Sequence, residues 1–137
     1  MKEIKTGMNS TAETTVTAEK LASAVGSGSL DVFATPMMTA LMEKAAAAAV
    51  AEAMENDETT VGTMLNISHT AATPLGMKVK AYAEVTEVNG REITFKVTAE
   101  DEKGEIGNGV HKRFVVFGEK FMAKTNAKAE NYSKRQK

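Results

Sequence analysis

The chain changes its hydrophobic period once, and the change divides it into a helical part and a sheet part. From Thr35 to Met54, Thr-Pro is followed by eighteen residues with neither Gly nor Pro. Pro36 fixes φ near the helical value and has no N–H to waste, so it suits a first helical position with Thr35 before it as N-cap. A helix from Pro36 to Glu55 would run roughly 30 Å at about 1.5 Å per residue. On it Lys44, Ala48, Ala51, Glu52 and Glu55 form a solvent stripe, while Met37, Met38, Leu41 and Met42 make the N-terminal half apolar nearly all round. Five consecutive alanines, Ala45 to Ala49, favour the helix and let a sheet approach it closely.

From Thr59 the period is two. Val61, Thr63, Leu65, Ile67 and His69 fall on one face of a strand over 59–70, expected to be the inner one. After a turn at Thr73-Pro74-Leu75-Gly76, Met77, Val79, Ala81, Ala83 and Val85 define a second half-buried strand. Asn89-Gly90 is a strong hairpin signal, and the chain returns through Ile93, Phe95, Val97 and Ala99. A turn over 101–104 leads to a last strand, Ile106 to Phe117, in which Gly107 and Gly109 mark a bulge or a close backbone approach. Phe114 to Phe117 is apolar on both faces, as a central or interface strand is. Before the long helix, Thr11 to Val16 reads as a short strand, with a brief helix from Thr17 to Val25 ended by Gly26-Ser27-Gly28-Ser29. After Phe117 periodicity fades. The segment 118–137 reads as a frayed, solvated extension, with five basic residues against one acidic from Lys124 on.

One short strand, one long helix and four antiparallel strands give an α+β chain whose curved sheet wraps a central α-helix, the hotdog fold. A single sheet covers only part of such a helix, so a second copy is expected to cover its apolar N-terminal half, as a homodimer or tetramer. The 137 residues fit one domain, with a core over about 11–117. Charge is nearly balanced, 17 basic against 18 acidic residues, which gives no general field for nucleic acid or an anionic membrane. The absence of cysteine excludes disulfides, thiolate metal sites and a cysteine nucleophile. Two histidines give zinc chemistry little support, and no metal or other cofactor is expected. No apolar run approaches the roughly 20 residues of a membrane span, so a cytoplasmic location is the default expectation.

Glu43 breaks the helical pattern. It lies outside the solvent stripe among Thr39, Ala40, Ala46, Ala47 and Val50, where a carboxylate needs a partner or a purpose. His69 sits on the inner strand face, which a structural histidine also does.

The segments VFATPMMTALMEKAA (Val32 to Ala46), TVGTMLNISHTAATPLGMKV (Thr60 to Val79) and GNGVHKRFVV (Gly107 to Val116) resemble hotdog thioesterases of the fluoroacetyl-CoA thioesterase type. The motif is a threonine before the helix, a glutamate eight residues on and a histidine 26 residues later: Thr35, Glu43 and His69. The resemblance implies cleavage of an acyl-CoA thioester by these three residues at a dimer interface, CoA being part of the substrate. It implies a carboxylate nucleophile or general base at Glu43, a proton shuttle at His69 and an orienting hydroxyl at Thr35. Phe33 and Gly62 are expected at the substrate. His111 and Arg113 fit the family's Gly-x-His-x-Arg pattern and are candidates to meet CoA phosphates. The fluoroacetate-selective member uses a phenylalanine-bearing lid ahead of the threonine. Gly-Ser-Gly-Ser stands there in this chain, so the expected acyl group is small or unidentified rather than fluoroacetyl. The alternative reading is a non-catalytic module that binds CoA or an acyl ligand.

Overall fold

The computed structural model describes residues 1–136, with side chains through residue 130. Five antiparallel strands form one sheet in the order β1-β3-β4-β5-β2, namely β1 (Asn9–Thr15), β2 (Glu58–His69), β3 (Lys78–Asn89), β4 (Glu92–Asp101) and β5 (Gly104–Phe117). A single turn of helix, α1 (Ala22–Val25), preceded by a 3₁₀ turn at Ala18–Lys20, leads to the central helix α2 (Thr35–Val50). A 3₁₀ turn at Ala51–Ala53 ends it, so the helix is shorter than its sequence pattern allows.

The sheet wraps α2 through β1, β3 and β4. Ala81 and Ala83 of β3, Phe95 and Val97 of β4 and Ala45 and Ala46 of α2 are all fully buried, and the small residues on both sides allow the close approach that the alanine run predicts. Met38, Leu41 and Met42 are also buried within the one chain. Met37 is only partly buried, so the apolar N-terminal half of the helix leaves less for a second copy to cover than the pattern suggests.

The hairpin between β3 and β4 turns at Gly90-Arg91, with Asn89 paired to Glu92. Only Gly90 takes positive φ, at 64°, so the turn lies one residue later than Asn89-Gly90 implies. The C-terminal segment is a helix, α3 (Gly118–Gln136), not a frayed extension. Asp57 starts it: its carbonyl accepts from Gly118 N–H at 2.9 Å and its Oδ2 from Glu119 N–H at 2.9 Å, which satisfies donors that a helix N-terminus otherwise leaves bare. Among the described residues no helix is long and apolar enough to cross a membrane.

A bulge in β2 decides which side chains face the helix. The register with β5 shifts between Gly62 and Met64 and leaves Thr63 unpaired. Before the bulge Gly62 pairs with Arg113, which is buried; after it Leu65, Ile67 and His69 pair with His111, Gly109 and Gly107. Paired residues share a face in an antiparallel ladder. Gly62 therefore points inward and Val61, opposite Phe114, outward; the expected inner placement of Val61 and Thr63 is corrected, while that of His69 stands.

Candidate active site

Two polar clusters lie between α2 and the β2–β5 pair. The first joins Thr35 to His69. Ala34, with φ −71° and ψ 137°, is the N-cap of α2, and no side chain caps the helix. Thr35 is the first helical residue rather than the cap its sequence suggests, and its hydroxyl is left for another use. Thr35 Oγ1 lies 2.7 Å from His69 Nδ1. Across the ladder from His69, Gly107 leaves room for Met38 of α2, because a Cβ there would come within 2.7 Å of the Met38 sulfur and 2.9 Å of the Ser68 carbonyl. Beyond His69, the Thr70 and Ala71 N–H groups donate to the Ile106 carbonyl.

Burial pushes the His69 pKa below its usual value, the nearby Ala71 backbone opposing the shift. Its Nε2 is buried and has no hydrogen-bond partner among the described residues. An orphaned buried donor or acceptor is costly, and one beside a cleft is a natural place for a ligand to bond. Such a cleft is present, about 250 Å³ in volume, with Thr35, His69 and Phe33 among its walls. Phe33 itself is buried, held by a bridge to Leu21 and by its N–H to the Thr73 carbonyl.

The second cluster surrounds Glu43. Arg113 Nη1 stands 3.6 Å from Glu43 Oε2. The guanidinium is itself anchored: Nε donates to Thr60 Oγ1 at 2.8 Å and Nη2 to the Thr60 carbonyl at 2.9 Å. Nη1 also lies 3.2 Å from His111 Nε2, and His111 Nδ1 2.8 Å from the Met64 carbonyl. Arginine can only donate, so His111 Nε2 accepts and its Nδ1–H donates to Met64, a neutral tautomer set by both neighbours. Burial lowers the His111 pKa, and the Arg113 charge adds to the effect. Gly62 completes the cluster. A Cβ on it would stand 2.9 Å from Glu43 Oε2 and 3.2 Å from the His111 ring.

The partner that Glu43 needs is therefore Arg113. His111 and Arg113 share a face, as their spacing predicts, but that face is interior and their polar atoms are committed there. His111 is fully buried, while Arg113 also lines a cleft of about 450 Å³ beside Thr60 and Ala48; a contact of either residue with CoA phosphates belongs to the proposals. Sequence reading missed Thr60 and the Met64 carbonyl as anchors; Gly62 within a strand was the one available hint of a bulge or close approach. No hydrogen bond or ion pair among the described residues links Glu43 to Thr35 or His69. Eight residues of helix separate Thr35 from Glu43, about 12 Å of rise. Among the described residues no group of three metal-ligating side chains is arranged to hold an ion.

The family model for fluoroacetyl-CoA-specific thioesterases matches residues 16–119. A fluoroacetyl-CoA thioesterase from Streptantibioticus cattleyicolor is 45% identical over 98 residues, 72% of this chain and 70% of its own length. The fold is shared with a solved fluoroacetyl-CoA thioesterase, FlK, at a TM-score of 0.86 and 36% identity over 92% of this chain and 98% of that one. A variant of that enzyme solved with acetyl-CoA gives a TM-score of 0.86 at 37% identity over 91% and 98%. A thioesterase superfamily member from Thermus thermophilus gives 0.89 at 27% identity over 97% and 98%. With a sheet wrapped around one helix and these relatives, the chain belongs to the fluoroacetyl-CoA-specific thioesterase family, hotdog hydrolases that act on acyl-CoA.

Proposed function

We propose that this thioesterase cleaves acyl-CoA at a site which two copies of the chain complete, the Thr35–His69 pair of one copy facing Glu43 of the other. The observation that carries the proposal is the separation of the two clusters along an unpaired edge. β2 pairs with β5 on one side only, and its twelve residues, ETTVGTMLNISH, include no Pro or Lys to blunt that edge. Leu65, on the inner face, remains 45% exposed. A two-fold axis at Asn66 would pair the edge with itself, Leu65 lying opposite the partner's Ile67 with both side chains on the inner face. Thr63 is the extra residue of the bulge, so the same axis brings His69 level with the partner's Gly62 and hence beside the partner's Glu43. The homodimer thus rests on the β2 edge and on the split site. A cytoplasmic location belongs to the same proposal, through the acyl-CoA substrate.

In this arrangement the neutral His69 accepts a hydrogen bond from the Thr35 hydroxyl at Nδ1 and offers Nε2–H to the thioester carbonyl oxygen, where negative charge develops. Glu43, steadied by Arg113, takes a proton from water as the water oxygen attacks the carbonyl carbon. The C–S bond then breaks and CoA leaves as a thiolate, a leaving group good enough to need only late protonation. Thr35 orients the reacting groups, and no metal or redox cofactor enters the reaction. Release of free CoA from a panel of acyl-CoA thioesters tests the reading, with Glu43→Ala and His69→Ala each expected to lower turnover by at least about a hundredfold. Unchanged turnover in both variants would refute the site. Thermal stabilisation by CoA compounds without hydrolysis would refute catalysis and favour a binding module.

A further inference from the structure

We infer that the cleft beside Thr35 and His69 receives the acyl group, and that this group is uncharged and about four to six carbons long; the inference rests on the thioesterase reading above. At about 30 Å³ for each water-sized group, the 250 Å³ of the cleft holds roughly eight such groups. A two-carbon acyl group leaves more than half of it empty. No charged side chain of the same chain lines the cleft, the proposed dimer adds only the carboxylate of the partner's Glu43 beside His69, and a carboxylate moved in from water would lose its hydration and meet a like charge. Dicarboxylic acyl groups are therefore disfavoured.

The walls are built from small side chains. Ala22 and Ser27 line it from the segment before α2 and Ala71 and Ala72 from the segment after β2, and Phe33 is the sole phenylalanine present. The glycine-serine segment, whose Ser27 lines the cleft, is fixed by its own contacts. A Cβ on Gly28 would rest against the Ala22 side chain at 3.4 Å. The two arms of the segment are tied to each other, Ala22 N–H to the Val32 carbonyl, Ser23 N–H to the Leu30 carbonyl and Ser23 Oγ to Asp31 Oδ1. His69 Nε2, buried and unpartnered, marks where the thioester carbonyl binds, and the acyl chain continues from that point into the cleft. Ser27 and Ala72 are then the positions that set acyl length, each from its own connecting segment. Both are exposed on connecting segments, where a larger side chain is tolerated by the fold.

The test is kcat/KM for acetyl-, fluoroacetyl-, butanoyl-, hexanoyl- and succinyl-CoA with the full chain and with Ser27→Phe and Ala72→Phe. Butanoyl- or hexanoyl-CoA is expected to exceed acetyl- and fluoroacetyl-CoA by about tenfold or more, and butanoyl to exceed succinyl by a similar factor. Each Phe variant is expected to lower the hexanoyl-to-acetyl ratio by about tenfold or more. A wild-type preference for acetyl or fluoroacetyl, or a ratio unmoved in both variants, would overturn the inference while leaving the enzyme reading intact. No hydrolysis of any thioester would overturn both.

Discussion

Gly62 leaves no room for a β-carbon beside Glu43: one built there would stand 2.9 Å from Glu43 Oε2. The atom in the way is the tip of a flexible side chain that is 37% exposed. Gly62→Ala is accordingly expected to fold, to move the carboxylate off Arg113 and to lower kcat by about tenfold or more, since small misplacements of a reacting group carry penalties of that size or larger. Thermal unfolding measured beside kcat checks this. A variant with unaltered kcat would show that the Glu43 position is not critical.

Arg113 does more than balance a charge. Its fork holds both oxygens of Thr60 while one nitrogen reaches His111 and Glu43. A lysine ammonium cannot span those acceptors, so Arg113→Lys is expected to leave the Thr60 carbonyl or His111 Nε2 unpaired, at about 1–3 kcal/mol of stability. Denaturant unfolding gives the stability and acyl-CoA turnover the accompanying fall in kcat. The ion pair itself adds less, because Glu43 is partly exposed and water screens it.

Thr35 separates two roles that its position in the sequence confuses. A true N-cap costs about 0.5–2 kcal/mol when replaced. Here Ala34 occupies the cap and the hydroxyl bonds His69. Thr35→Val is therefore expected to lose less than about 0.5 kcal/mol of helix stability yet to lose most of its activity, with Thr35→Ser restoring turnover. A large drop in Tm for Thr35→Val would return the residue to capping.

Acid weakens the enzyme by a defined route. Burial lowers the pKa values of His69 and His111 from the ordinary 6.5, so the folded protein binds fewer protons than the unfolded chain just below that value. Their contribution to stability is complete above pH 6.5 and is lost as the pH falls through the lowered folded values. If neutral His69 acts as proposed, the acid limb of kcat/KM is expected to have its midpoint below 6.5. NMR titration of the two imidazoles measures both, and a midpoint above 6.5 would contradict the assignment.

Much of this was legible in the sequence because local pattern and fold agree. The period change at Thr59, the Pro-led helix and the Asn-Gly hairpin each reported elements now seen, and Glu43 was conspicuous as a carboxylate on an apolar part of the helix. The bulge at Thr63 was not legible, since one extra residue reverses the inward set of a period-two strand without altering composition. Asp57 starts α3 from a distant loop, which no reading of residues 118–137 alone could find. Thr35 looked like a cap because threonine before Pro is one of the commonest cap signals. Its true partner, His69, is 34 residues away in the chain.

The central claim is that two chains share each active site, and subunit mixing tests it directly. Glu43→Ala and His69→Ala homodimers are each expected to be nearly inactive. In a mixed dimer one site would combine the intact His69 of one chain with the intact Glu43 of the other, and the second site would carry both defects. Random exchange should thus restore about a quarter of wild-type turnover, half of the dimers having one of two sites intact. Recovery near that level is the predicted result; a mixture that demonstrably exchanges subunits and stays inactive would contradict the account.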